Sequence, residues 1–192
     1  MQGISEKRYS LEEYFAIENA STEKHEYYKG EIFAMAGGTF RHAQIVESVF
    51  VSLRRRLKGK PCQPKSSEMR IQTPSGLYTY PDASVYCGKP ELSQAQTELK
   101  NPVVIVEVLS SGTRNDDRGE KFKLYRAIES FREYVLVESE SVFVEHYSKR
   151  ETGEWVLREY ALLSDEIELH AINERLSLQE IYEEVNFAAP TQ

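Results

Sequence analysis

The sequence predicts an α/β (α+β) domain in which a central mixed β-sheet is flanked by helices. Three observations carry that expectation. Strand-like runs and amphipathic helical stretches alternate along the chain instead of segregating. One run, Pro102-Val103-Val104-Ile105-Val106-Glu107-Val108-Leu109, is apolar on both faces and so belongs inside a covered sheet. The chain of 192 residues, 40% hydrophobic and 29% charged, is long enough to bury a real core and short for two, so residues 1–192 are expected to form a single domain.

The elements follow in order. Ser10-Leu11-Glu12-Glu13 is a capping box that opens a short helix, Leu11 to about Glu18. His25 to Tyr28 and Glu31 to Met35 read as a hairpin across a Lys29-Gly30 turn. Gly37-Gly38-Thr39 breaks that strand, and His42, Ile45, Val46, Val49, Phe50, Leu53 and Leu57 then recur at helical spacing. Glu68 to Gln72, Tyr78 to Tyr86 and Val103 to Leu109 read as central strands. Ser110-Ser111-Gly112-Thr113 closes the last of them, and a second amphipathic helix runs from about Asp117 to Ser130. Glu133 to Val137, Val142 to Tyr147, Trp155 to Tyr160 and Glu166 to His170 complete the strands. A second capping box, Ser177-Leu178-Gln179-Glu180, opens a closing helix.

Composition narrows the function. No apolar run approaches the roughly 18–20 residues of a membrane span, and the first ten residues carry no apolar secretory segment, so a cytoplasmic location without membrane partners is expected. Cys62 and Cys87 are too few for a disulfide framework or a zinc site and read as small core or surface residues. The net charge of −7 argues against strong non-specific nucleic-acid binding, which Lys and Arg drive by releasing counterions. A local basic group, Arg54, Arg55, Arg56, Lys58 and Lys60, reads first as a solvated helix end favoured by the helix dipole.

The chemistry concentrates in Tyr80-Pro81-Asp82-Ala83-Ser84-Val85 and in Glu107. Burying an unpaired carboxylate in a run of Val and Ile costs several kcal/mol or shifts its pKa. Asp82 follows a proline that suits a strand bend or edge. Two carboxylates on neighbouring strands can converge on one hard cation, with the backbone carbonyl of Val108 adding a ligand. Magnesium takes oxygen ligands and keeps waters for substrate phosphates and a nucleophile. On the next helix Lys121 shares the stripe of Leu124, Tyr125 and Ile128, so it faces inward and needs an anionic partner, for which Glu107 is the natural candidate. Lys123 lies on the opposite side and should be solvated.

Taken together, these residues resemble a known family. PD, then a strand ending in EVLS, then TxxxDRxxK with a tyrosine four residues on, and a later EYVLV strand are similar to the Uma-type (Uma-two) restriction endonuclease family of the PD-(D/E)xK nuclease superfamily. The resemblance spans about Tyr9 to Leu178. It implies a restriction-endonuclease-like fold and a magnesium- or manganese-dependent endonuclease acting on nucleic acid, DNA before RNA. By the same resemblance Asp82 and Glu107 are the acidic pair that holds the metal, with the Val108 carbonyl read above as a further ligand, and Glu26 and His42 match recurrent family positions around the site. Tyr125 would pack the helix and hydrogen-bond the site. The departure is Leu109, where the superfamily places lysine; Lys121 stands as the replacement, so the catalytic set becomes Asp82, Glu107 and Lys121. The alternative is a catalytically degenerate module that binds nucleic acid or protein on the same fold. Exposed strands late in the chain would suit a homodimer that cuts two strands.

Overall fold

The computed structural model describes residues 7–35, 37–110, 112 and 114–187. Ser111 and Thr113, expected in the turn after the central strand, lie outside the described residues.

Helix α1 (Leu11–Ala20) starts as its capping box requires: the Ser10 hydroxyl accepts from the Glu13 N–H while the Glu13 carboxylate accepts from the Ser10 N–H. Strands β1 (His25–Tyr28) and β2 (Glu31–Ala34) form the expected hairpin, with Lys29 and Gly30 both at positive φ. Helix α2 (Phe40–Arg56) is capped by Thr39 and buries Ile45, Val49 and Leu53 along one stripe. Strand β3 (Cys62–Ser66) comes next, then β4 (Arg70–Gln72), β5 (Tyr78–Thr79), β6 (Ala83–Cys87), β7 (Glu98–Leu99) and β8 (Val104–Leu109).

After β8 the chain does not run as one helix to Ser130. It forms α3 (Arg114–Asp116), a π-helical turn over Asp117–Lys121 and α4 (Phe122–Tyr125). A π-turn inserts an extra residue into the helical ladder; its first and last residues, Asp117 and Lys121, are both buried. Strands β9 (Glu133–Glu138), β10 (Val144–Lys149), β11 (Trp155–Tyr160) and β12 (Glu166–Leu169) come next. A 3-10 turn, His170–Ile172, leads through β13 (Glu174–Ser177) into α5 (Leu178–Ile181). Ser177 precedes α5 without a side-chain capping bond, so the second capping box forms in sequence alone.

The central sheet has the order β11-β10-β9-β8-β6-β3 and is mixed: β8 pairs parallel with β9, and the other neighbours are antiparallel. A smaller sheet, β2-β1-β5-β4-β7, is separately hydrogen-bonded but shares a core with β8 through Ile71 and Leu99, and β12-β13 form a ribbon. The expected strand Tyr78 to Tyr86 is thus two strands in two sheets. Pro81 explains the split, because it cannot donate to a ladder and the chain bends out between Thr79 and Ala83. Pro64 is tolerated in β3 because that strand is the sheet's outer edge.

Cys62 and Cys87 are not separate small residues. They face each other in the β3–β6 register and are joined by a disulfide. The 25-residue separation gave no hint of that contact, which the pairing of two strands creates.

β8 has a core on each face. Val104, Val106 and Val108 pack with α2 and α5, while Ile105 and Leu109 pack with Leu124, Tyr125, Ile128, Phe131 and Tyr134. Each fully buried aliphatic side chain contributes about 1.5–3 kcal/mol. That is enough for the strand to be stable with one ill-suited residue in its middle. The residue is Glu107, on the Ile105–Leu109 face.

Candidate active site

The site lies where β6 and β8 stop pairing. Their ladder ends at Ala83↔Val106, because Pro81-Asp82 turns away. The N–H and C=O of Val108, left without a β6 partner, are taken by side chains instead. The Val108 N–H donates to Asp82 Oδ2 at 2.7 Å. The Val108 carbonyl lies 3.0 Å from His42 Nε2. Asp82 is therefore held against β8 by its carboxylate, and its own N–H points at Glu107 Oε2, 3.3 Å away.

Glu107 is buried, and the Tyr125 hydroxyl donates to its Oε1 at 2.9 Å. Lys121 enters from the π-turn. Its ammonium is 2.9 Å from Glu26 Oε1, 3.3 Å from Asp117 Oδ1 and 3.8 Å from Glu107 Oε1. The nearest partner is thus Glu26 from the smaller sheet, a correction to the expectation of Glu107. Glu26 in turn accepts from the Thr79 hydroxyl. His42 contacts the opposite side, with Nε2 3.6 Å from Asp82 Oδ2. The backbone at Gly38 runs so close to this imidazole that a Cβ there would sit 2.5 Å from Nδ1.

The chain as a whole has relatives. The Uma2 family model, described as "Putative restriction endonuclease", matches residues 11–180. The chain belongs to the Uma2 family. Two uncharacterized proteins of Synechocystis sp. (strain ATCC 27184 / PCC 6803 / Kazusa) are similar to it. One, slr1290, is 36% identical over 179 residues, covering 93% of this chain and 93% of its own length. The other, sll1609, is 33% identical over 158 residues, covering 81% of this chain and 89% of its own. A crystal structure of a "putative nuclease belonging to DUF820" from Anabaena variabilis ATCC 29413 matches with a TM-score of 0.74, covering 90% of this chain and 97% of that one at 14% identity. At that identity the likeness speaks for the fold, and it agrees with the restriction-endonuclease-like architecture expected from the sequence.

In this Uma2 chain the residues singled out from sequence are brought together: Asp82, Glu107 and Val108 at the strand ends, Lys121 and Tyr125 from the helical segment, Glu26 from β1 and His42 from α2. Asp117 was missed as a site residue. The signal was present, since Asp117 and Lys121 stand four apart on one helical face, but the residue read as a helix opener. Lys123 is solvent-exposed beside Glu120, as its angular position predicts. The basic group after α2 is largely engaged elsewhere: Arg55 and Arg56 pair with Glu180, and Lys60 pairs with Glu174.

The electrostatics are lopsided, with four carboxyl groups (Glu26, Asp82, Glu107 and Asp117) facing one ammonium. Burial pushes the Glu107 carboxyl well above the usual carboxylate range, against the pull of Lys121 and with added push from Asp117, Asp82 and Glu26. Burial also raises Asp82, although His42, the Val108 N–H and Lys121 oppose it. Burial alone would lower Lys121, but Glu26, Glu107 and Asp117 outweigh that and hold it well above the ordinary lysine value. Lys121 is therefore a fixed positive charge, unsuited to take a proton at neutral pH. Asp117 Oδ1 makes no hydrogen bond and meets Lys121 only through the 3.3 Å ion pair.

Among the described residues, no three His, Cys, Asp or Glu side chains form a ready-made metal-binding group. The site instead offers two carboxylates beside a backbone carbonyl that has left its ladder. Such oxygen donors suit a hard divalent cation, and the excess of buried negative charge gives one a reason to stay. No helix among the described residues is long and apolar enough to cross a membrane.

Proposed function

We propose that the chain is a divalent-cation-dependent endonuclease of the PD-(D/E)xK type, hydrolysing phosphodiester bonds in nucleic acid, with DNA the first candidate substrate. One observation carries this reading. Asp82 and Glu107 meet where β8 parts from β6, and an ammonium from a different element stands 3.8 Å from Glu107, although the residue two past Glu107 is the buried Leu109.

In this reading Asp82, Glu107 and the Val108 carbonyl hold magnesium or manganese, which when bound would lower the pKa of a water and neutralise phosphate charge. Lys121 supplies fixed positive charge next to the attacking water and the developing negative phosphorus centre. Its high pKa suits a role as electrostatic stabiliser and positioner. Tyr125 and the Asp82 N–H hold the two oxygens of Glu107 in place. Glu26 and Asp117 keep the lysine aimed.

Leu109 favours one second reading, a module that binds nucleic acid or protein on this fold without cutting it. Incubating purified protein with duplex DNA, single-stranded DNA and RNA, each with magnesium or manganese, separates the two. The nuclease reading expects cleavage that disappears in Asp82→Ala and Glu107→Ala together with cation binding measured by calorimetry. Lys121→Met should keep cation binding within a few-fold and lose cleavage by two or more orders of magnitude, the scale of one lost electrostatic stabiliser. Full activity in Lys121→Met, or unchanged cation affinity in both carboxylate variants, would remove this site from consideration.

A further inference from the structure

The two edges of the central sheet are built differently. β3 forms one edge and carries Pro64, which has no N–H to offer a further strand. β11 forms the other edge. Its residues Trp155-Val156-Leu157-Arg158-Glu159-Tyr160 include no proline or glycine, pair with β10 without a bulge, and leave Leu157 44% exposed. Among the described residues no strand lies beyond it. An unbroken edge with apolar side chains is a template for another strand.

The hydrogen bonds of the β10–β11 hairpin show which groups of that edge are free. The Arg150 N–H donates to the Glu154 carbonyl at 2.8 Å, whereas the Lys149 N–H donates away from β11, to the Arg132 carbonyl at 2.8 Å. Bonded pairs alternate along an antiparallel ladder, so Glu154, Val156, Arg158 and Tyr160 turn their backbone groups to β10. Trp155, Leu157 and Glu159 turn theirs outward. Side chains alternate as well. Trp155 and Leu157 share the face of Tyr147, where Trp155 meets Phe122 edge-on at 5.1 Å. Glu154, Val156 and Arg158 share the opposite face. Among the described residues Arg158 is exposed without an ion pair, and the Glu154 carboxylate accepts only from the Thr152 hydroxyl, at 3.1 Å.

We propose that β11 is a self-association edge: a second copy of the chain pairs with it antiparallel about a two-fold axis at Val156, joining two central sheets into one. Such an axis sets one residue opposite itself, and the side chains choose which. Centring on Arg158 or Glu159 puts like charges face to face, which is destabilising. Centring on Leu157 sets Trp155 against Glu159 of the second copy. Centring on Trp155 or Tyr160 runs the strand into a turn. With Val156 at the axis, Trp155 packs on Leu157 of the second copy, Val156 on Val156, and Arg158 stands directly opposite Glu154. The outward N–H and C=O groups of Trp155 and Leu157 then bond across the join. The contact is smaller than a permanent interface, so the dimer forms as concentration rises.

This association neither needs the nuclease reading nor supports it, but it bears on the geometry of two copies. β8 lies three strands in from β11. At about 4.8 Å per strand the two candidate sites stand about 34 Å apart, and the axis turns them to opposite ends of the shared sheet. A dimer of this form has two separate sites, unlike the expected homodimer that cuts two strands together.

Sedimentation velocity of the full chain from about 1 to 200 μM should show monomer giving way to dimer. Residue-resolved amide exchange over the same range should show Trp155 and Leu157 becoming protected, with β3 unchanged. Val156→Lys sets two ammonium groups on the axis and should weaken association about tenfold or more. Leu157→Pro removes an outward N–H and no bond to β10, and should abolish the dimer. Thermal melts establish that each variant is folded. Arg158→Glu should weaken association about tenfold, and combining it with Glu154→Arg should restore it to within about twofold. A chain that stays monomeric throughout overturns the proposal and leaves the edge to a strand of some other protein. A dimer indifferent to Val156→Lys, or one that leaves the β11 amides exchanging freely, overturns it in favour of another face. Failure of the charge exchange to restore association overturns the Val156 register.

Discussion

Glu107 occupies a position that a folding sequence would fill with valine or leucine. It lies on the Ile105–Leu109 face of β8, with one hydroxyl and one backbone N–H as its close polar partners. Breaking or under-satisfying a buried charge is expensive, and removing that charge without changing shape relieves the cost. Glu107→Gln should therefore stabilise the cation-free chain by about 1 kcal/mol, a rise of about 2–4 °C in melting temperature for a chain of this size, while abolishing cation binding. The pH dependence has a definite sign. Because burial raises Glu107 and Asp82, the folded chain keeps protons that the unfolded chain has already released above the ordinary carboxylate range. Stability without cation is fully present at lower pH and declines as pH rises through the two folded-state values. Melting curves in chelator across that range should show the decline, and it should flatten in Glu107→Gln. A flat profile in the unaltered chain would mean these carboxyls are not strained.

Among the elements, those with a local signature were legible in the sequence. The Ser10 cap, the Lys29-Gly30 turn and the stripe of α2 each depend on residues near one another in the chain. Strand β3 was not legible, because Cys-Gln-Pro-Lys-Ser has neither alternation nor apolar content and becomes a strand by pairing with β6. The two-residue strand β7 and the π-turn were hidden for a related reason: both are set by tertiary contacts. The site shows the same division. Asp82, Glu107 and Lys121 stood out because each violates its local pattern, whereas Asp117, a plausible helix opener, violates nothing. The disulfide between Cys62 and Cys87 closes a loop across a 25-residue separation, and in the chain-entropy account such a link contributes about 3 kcal/mol. Cys62→Ala with Cys87→Ala should cost up to that amount in urea unfolding, with the midpoint lowered and the slope somewhat raised, because the unlinked unfolded chain exposes more surface. An unchanged midpoint would show the loop to be constrained already by β3–β6 pairing.

For the whole molecule, the fold balances two well-packed cores against one electrostatically costly seam between them. The larger sheet, α2 and the helical segment after β8 meet there, and β1 of the smaller sheet contributes Glu26. A cation bound to the folded state alone should therefore be felt globally. At one hundred times its dissociation constant it should add about 2.7 kcal/mol, seen as a rise in the temperature of the single main unfolding transition. Asp82→Ala should remove the rise without lowering the cation-free melting temperature by a comparable amount. A cation effect that persists in that variant would place the binding somewhere else. The α+β class was legible at this scale because a strand apolar on both faces demands cover on both sides, whereas the restriction-endonuclease-like architecture was implied by the family resemblance. The partition into two sheets was not, since it turns on the bend at Pro81.

The Cys62–Cys87 link also has a meaning outside stability. It staples the outermost strand of the central sheet to the strand that begins one residue after Asp82. In a reducing compartment glutathione and thioredoxin keep such thiols apart, and in an oxidising one they stay joined. The oxidation state of this one bond, read by the mass of the alkylated chain taken directly from cells, thus records the surroundings in which the chain has been living. Where the bond is found open, the border of the sheet rests on hydrogen bonds and on Pro64, the residue that discourages a stranger's strand from joining it.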